Sequence, residues 1–252
     1  MKLCRASVDG EVFNAIFENG MLYRLRRSPV EGIYKDENTY PINAARLLAP
    51  IMPNKIVCVG KNYNDHAMEI DGEVPKEPLL FLKPNTTIIG PGDEIVWPPD
   101  CKRLDYEAEL GVVIGKRCKD VPMGGYRDVV LGYTCLNDVT ARDLQMQDGQ
   151  WTRSKGYDTF CPIGPWIETE LDPFNVDVEA RLNGEVKQHA STAIMIHDID
   201  TLVYYISRVM TLLPGDIIAT GTPAGIGPMQ KGDMIEISIP GIGVLCNRIS
   251  AI

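Results

Sequence analysis

The ten residues Asp105-Tyr106-Glu107-Ala108-Glu109-Leu110-Gly111-Val112-Val113-Ile114 alternate in character. Tyr106, Ala108, Leu110, Val112 and Ile114 are apolar, whereas Asp105, Glu107 and Glu109 fall between them. A period of two is that of a β-strand, whose successive side chains point to opposite faces. Both glutamates then project from one side, about 7 Å apart along the chain. Taken alone, such a strand has an acidic, half-solvated outer face. Further apolar runs of strand length lie at 55–60, 79–82, 129–136, 176–182, 216–220 and 234–239, with Gly and Pro between them. One helix is predicted over roughly 199–213, with Leu202, Tyr205, Ile206, Val209, Met210 and Leu213 on one stripe and Pro214-Gly215 as its stop. A shorter helix is predicted to begin near Thr140, because Thr140 and Asp143 have capping-box spacing. The fold class is therefore α+β and β-rich, with helices packed on sheets.

Residues 1–27 read as a hairpin. EVFNAIF (11–17) and MLYRL (21–25) are strand-like, and Glu18-Asn19-Gly20 is a tight-turn signal. Residues 28–54 carry Pro at 29, 41, 50 and 53 and read as irregular. The chain is thus predicted to divide into a small N-terminal β-rich domain with a linker, 1–54, and a main body, 55–252.

The 25 basic and 34 acidic residues give a net charge of −9. Such a chain is repelled by phosphate backbones and anionic membranes unless it carries a basic patch, and Arg24, Arg26 and Arg27 are too few to make one. Neither nucleic acid nor membrane is an expected partner. The seven cysteines form no CxxC pair, and no apolar run reaches transmembrane length. Free thiols and a cytoplasmic location are the expectation.

A second apolar run, VVLGYTCLN (129–137), ends at Asp138. Asp138 reads either as a site residue or as a simple helix cap. If it converges with Glu107 and Glu109, each carboxylate pair repels by about 4 kcal/mol at 4 Å and an effective dielectric of 20. A marginally stable fold tolerates that only with a cation in the gap. An all-oxygen site suits Mg2+ or Mn2+ and disfavours zinc. A glycosidase also pairs carboxylates, but here a third acid converges and aromatic residues for stacking sugars are few. A purely structural cation site is the non-catalytic alternative.

GKNYNDHAME (60–69), PLLFLKP (78–84), YEAELGVVIGKR (106–117), GYTCLNDVTARDLQ (132–145) and GDIIATGTPAGIGP (215–228) occur in the order of the fumarylacetoacetate hydrolase family, which the chain resembles. The resemblance implies a mixed β-sandwich roll over 55–252 as catalytic domain, usually assembled as a homodimer. It implies Mg2+ or Mn2+ on Glu107, Glu109 and Asp138. It maps Asn62, Tyr63, His66 and Glu69 onto the family's NYxxHxxE block, whose His and Glu act as a dyad in hydrolytic members. Their spacing of three allows a hydrogen bond on one helical turn, which fixes the imidazole tautomer. The polar stretch 71–78 that follows reads as a lid.

Lys155 matches the lysine that faces the metal, with Arg153 as its nearest rival. Arg142 and Gln145 match a face that contacts substrate. Thr222 lies in a turn whose hydroxyl and amides would cradle a substrate carboxylate. That turn lacks the lysine and spacing of a phosphate-binding loop. His189 and His197 read as structural or exposed. The implied activity is Mg2+-dependent hydrolysis of a carbon–carbon bond in an acylpyruvate-type β-diketo acid. Isomerisation of 2-hydroxyhepta-2,4-diene-1,7-dioate and tautomerisation or decarboxylation of oxaloacetate are the alternatives on the same scaffold.

Overall fold

The computed structural model describes residues 1–70 and 74–250. Its largest sheet has twelve strands. The main path runs Lys35–Pro41, Met21–Leu25, Glu11–Glu18, Lys2–Val8, Cys161–Glu168, Val130–Asn137, Ala108–Ile114, Ile217–Ala219, Ile56–Gly60 and Leu79–Lys83. A five-stranded sheet, centred on Asp177–Leu182, Met234–Ile239 and Gly243–Ile249, packs on it. A small third sheet joins Thr140–Ala141, Leu104–Tyr106 and Gly227–Pro228. Most pairings are antiparallel, but Ile217–Ala219 lies parallel to Ile56–Gly60. The architecture is the expected β-rich α+β class.

Alternation along 105–114 places Tyr106, Ala108, Leu110, Val112 and Ile114 in the main apolar cluster. The other face is not solvated as the pattern alone suggested. Val113 enters a second apolar cluster, and Asp105, Glu107 and Glu109 are all buried. A strand covered on both faces with carboxylates at one end is costly unless those charges are compensated.

The Asn19-Gly20 turn has φ of 51° and 79°, the left-handed pair that a two-residue hairpin turn needs. Asp9-Gly10 repeats it, so residues 1–27 form three strands rather than one hairpin. Lys35–Pro41 is a strand where an irregular segment was expected. Its composition, KDENTYP, is polar because it lies at the sheet edge, where charge discourages further pairing. The N-terminal strands join the main sheet through Lys2↔Glu168 and Leu3↔Ile167.

Cys161–Glu168 also escaped the sequence pattern, since Pro162 and Pro165 interrupt it. A register shift between Tyr133 and Cys135 accommodates the broken ladder. The long helix is Ile199–Val209, shorter than expected, because Leu212 exchanges two backbone hydrogen bonds with Cys118 and must be extended. Its buried face is Ile199, Leu202, Val203 and Ile206, while Val209, which the sequence pattern placed on the apolar stripe, is 57% exposed and lies off the buried face. Near residue 140 the capping box does not form. Thr140 donates to the Asp138 carbonyl at 2.9 Å, and Asp143 accepts the amides of Lys102 and Arg103. The helix there is Arg142–Asp148.

All seven cysteines are free thiols. Burial pushes Cys4, Cys135 and Cys161 up to about 12. A thiol reagent at pH 8 is therefore expected to leave these three unmodified in the native protein and to label them once it is denatured. Mass spectrometry of the labelled chain checks this, and rapid native labelling of Cys161 would contradict its placement. Among the described residues no helix is long and apolar enough to cross a membrane.

Candidate active site

Glu107 occupies the single-residue break between Leu104–Tyr106 and Ala108–Ile114. Ala108 pairs with Asn137, so Asp138 comes alongside it. Asp138 N–H donates to the Glu107 carbonyl at 2.9 Å, and Glu107 N–H donates to Asn137 Oδ1 at 3.0 Å. One oxygen from each of Glu107, Glu109 and Asp138 then lies within 4.8 Å of the others.

Each carboxylate accepts from at least one protein donor, and Glu107 and Asp138 accept through both oxygens. Arg142 Nη2 donates to Glu107 Oε1, Gly221 N–H to Glu109 Oε2 at 2.8 Å, and Lys83 Nζ to Asp138 Oδ1. Lys155 Nζ bridges Glu107 Oε2 at 2.7 Å and Asp138 Oδ2 at 2.6 Å. Behind them, Asp105 Oδ2 fixes Arg142 Nε at 2.9 Å, and Gln145 Oε1 accepts from Arg142 Nη1 at 2.5 Å.

The electrostatics separate the two glutamates. Burial works against an ionised Glu107, but the Lys155 ammonium and then the Arg142 guanidinium hold its carboxyl well below the usual range. Burial also pushes Glu109 up, and the Asp138 and Glu107 carboxylates push it further; Lys155 and the Gly221 amide oppose them and lose. Of the four buried carboxylates, Asp105, Glu107 and Asp138 pair with Lys83, Arg142, Lys155 and the more exposed Arg103, whereas Glu109 pairs with no cation among the described residues. The uncompensated charge falls on Glu109. Oxygen-only donors with excess negative charge fit a hard divalent cation such as Mg2+ or Mn2+.

His66 lies on the helix Asn64–Ile70, 3% exposed, with Nδ1 at 3.2 Å from Glu69 Oε2. Pairing Nδ1 with a carboxylate leaves Nε2 as the other polar atom of the ring. Glu69 is itself held by Gly225 N–H at 3.2 and 3.3 Å. Gly225 has φ of +99°, and a Cβ there would meet the Lys187 carbonyl at 2.2 Å, so only glycine presents this amide. The helix is anchored through buried Asn62, whose amide donates to the carbonyls of His197 and Thr220 and accepts from His197 N–H.

His66, Glu107, Glu109, Asp138, Arg142, Gln145, Lys155 and Thr222 line one narrow cavity, with Glu69 behind His66. Its other wall, Val59, Ile70, Phe81 and Trp151, is largely apolar. A larger groove beside Tyr126 and Asp172 contains none of the predicted residues. Size does not identify the site here; the chemistry does.

The structure separates the two rivals for the cation facing the carboxylates. Arg153 is turned outward into an ion pair with Asp148, and Lys155 takes the buried position. The Thr222 hydroxyl is engaged by protein groups, donating to the Ala108 carbonyl at 2.9 Å and accepting from Gln188 Nε2 at 2.8 Å. His189 is exposed, and His197 contributes its backbone. Of the lid stretch 71–78, residues 71–73 lie outside the described residues, and Glu77 accepts a hydrogen bond from Tyr205. Sequence reasoning missed Lys83, Asp105 as the support of Arg142, and Gln188. A lysine closing the apolar run LLFLK was a usable signal for the first. The segment EVKQHAS offered none for Gln188.

With this geometry in place, three similarities bear on the site. The mitochondrial oxaloacetate tautomerase of Rattus norvegicus is 41% identical over 221 residues, covering 83% of this chain and 71% of that protein. The crystal structure of 2-hydroxyhepta-2,4-diene-1,7-dioate isomerase from Mycobacterium marinum superposes with a TM-score of 0.93 at 46% identity, covering 99% of this chain and 98% of that one. Maleylpyruvate hydrolase from Sphingobium sp. SYK-6, crystallised with manganese(II) and pyruvate, gives 0.81 at 30% identity and 99% of both chains. Residues 55–250 match the fumarylacetoacetate (FAA) hydrolase C-terminal region, and the chain belongs to the fumarylacetoacetate hydrolase family of enzymes.

Proposed function

We propose that the protein hydrolyses a carbon–carbon bond in a small acylpyruvate-type 2-oxo acid, with Mg2+, or alternatively Mn2+, on Glu107, Glu109 and Asp138, as a homodimer. The observation that carries this reading is the His66–Glu69 pair on the wall of a cavity whose floor is the carboxylate cluster. The bound cation would act as a Lewis acid towards the 2-oxo acid. His66 takes a proton from water, and Glu69 stabilises the imidazolium that results. The water oxygen attacks the distal carbonyl carbon. The bond from that carbon to the pyruvate methylene then breaks, its electron pair passing into a pyruvate enolate. Lys155 and Arg142 lie where they can balance the charge of the enolate and its carboxylate. The enolate is finally protonated on carbon, with His66 as the nearest acid. The wall of Val59, Phe81 and Trp151 suits an apolar acyl group.

A second reading is favoured by the tautomerase relative. Keto–enol exchange of oxaloacetate needs proton transfer at one carbon and no water, which His66 and Lys155 can supply. One experiment separates the two: pyruvate release from acetylpyruvate and decay of enol-oxaloacetate, each with Mg2+ and with EDTA. Metal-dependent pyruvate release is expected. Enol decay without pyruvate release would replace the hydrolase with the tautomerase, and inactivity towards both would sink the oxo-acid reading.

A further inference from the structure

Lys83 has no place in the chemistry above, yet its side chain is fully buried. It closes the strand Leu79–Lys83 and is absent from the cavity wall. Its ammonium has two hydrogen-bond partners on consecutive residues, Asp138 Oδ1 and the Val139 carbonyl at 3.1 Å. Burying an ammonium costs several kcal/mol before pairing, and a methionine would fill the same space without that cost. The charge therefore has work to do at Asp138.

The other two carboxylates show what that work is. Arg142 occupies one oxygen of Glu107, and Gly221 N–H occupies one oxygen of Glu109. Three different donors from three separate segments each commit a single oxygen, and on the cavity side Lys155 Nζ bridges the remaining oxygens of Glu107 and Asp138. Mg2+ and Mn2+ demand a compact octahedron, to which each carboxylate gives one oxygen; Ca2+ takes six to eight and is commonly bound by both oxygens of a carboxylate. We propose that the three donors restrict the site to one oxygen per carboxylate and so select small octahedral cations against Ca2+, with Lys83 as the positioning residue for Asp138. Without Lys83, Asp138 Oδ1 loses its ammonium partner, and a cation that displaces Lys155 from Oδ2 meets a carboxylate able to turn and offer both oxygens. Lys83 is the donor to test, because Arg142 also lines the cavity and Gly221 acts through its backbone. The inference rests on the assignment of Glu107, Glu109 and Asp138 as a divalent-metal site.

The test measures Mn2+ affinity by electron paramagnetic resonance and Ca2+ affinity by competition, on the full chain as wild type, Lys83→Met and Lys83→Arg. Lys83→Met is expected to weaken Mn2+ binding by about 10–100-fold and Ca2+ binding much less. Lys83→Arg, which keeps a donor and the charge, is expected to restore most of the preference. Parallel loss of both cations, or an unchanged ratio, overturns the proposal. Failure of both variants to fold makes Lys83 a structural ion pair and overturns it as well. Wild type that binds neither cation removes the metal site itself, a failure visible before any variant is made.

Discussion

Glu107→Ala is expected to destabilise the protein by about 3–5 kcal/mol, and Glu109→Gln by almost nothing, although both should abolish divalent-metal binding. The two glutamates are two residues apart and equally buried, so position and burial predict no such difference. Partners do. Glu107 takes hydrogen bonds from Lys155 and Arg142, and its removal leaves two buried cations short of a counter-charge. Glu109 has a single backbone amide and two carboxylate neighbours that oppose its ionisation. Glutamine keeps an oxygen for the Gly221 amide and removes the like-charge repulsion. Urea unfolding in EDTA measures the stabilities, and Mn2+ titration measures the site. A Glu109→Gln protein as unstable as Glu107→Ala would mean that Glu109 holds an ion pair absent from this structure.

His66→Ala is expected to lower kcat for pyruvate release by about 10²–10⁴-fold while leaving Mn2+ affinity intact. The imidazole touches Glu69 rather than any of the three carboxylates, so its loss removes the base and spares the ligands. Glu69→Gln should cost less, because the amide still meets the ring and only the negative charge is gone. Undiminished turnover in His66→Ala would remove histidine from the chemistry and return attention to Lys155. Simultaneous loss of Mn2+ binding would show instead that the substitution collapses the cavity.

The strands and the acid cluster were legible because their signals are local. A period of two marked 105–114, and a carboxylate at the end of an apolar run marked Asp138. Family resemblance added Lys155, Arg142 and Gln145. Elements resting on long-range context stayed hidden. Cys161–Glu168 carries two prolines and is a strand only because its neighbours shift register around it. The helix 199–213 lost its last turn to Cys118, eighty residues or more upstream, which no window around Leu212 contains. The burial of Asp105 and the two glutamates was equally invisible, since a second apolar layer covers a face that alternation alone assigns to water. Gln188 holds Ala108, Thr222 and Pro223 together from the middle of a polar strand, and nothing in its neighbours marks it.

The bond from the Gly221 amide to Glu109 spans 112 residues of sequence. Ile217–Ala219, just before it, joins the sheet between Ala108–Ile114 and Ile56–Gly60. On a ribosome adding about 5–20 residues per second, the acid cluster is complete at Asp138 roughly 4–17 seconds before Gly221 is added. Throughout that interval the nascent chain carries Glu107, Glu109 and Asp138 without Gly221 and without the strand that completes the sheet around them. Translation halted between residues 138 and 217 therefore leaves a polypeptide with every carboxylate of the site and no completed sheet to hold them, a species for chaperones and proteases rather than a slower enzyme.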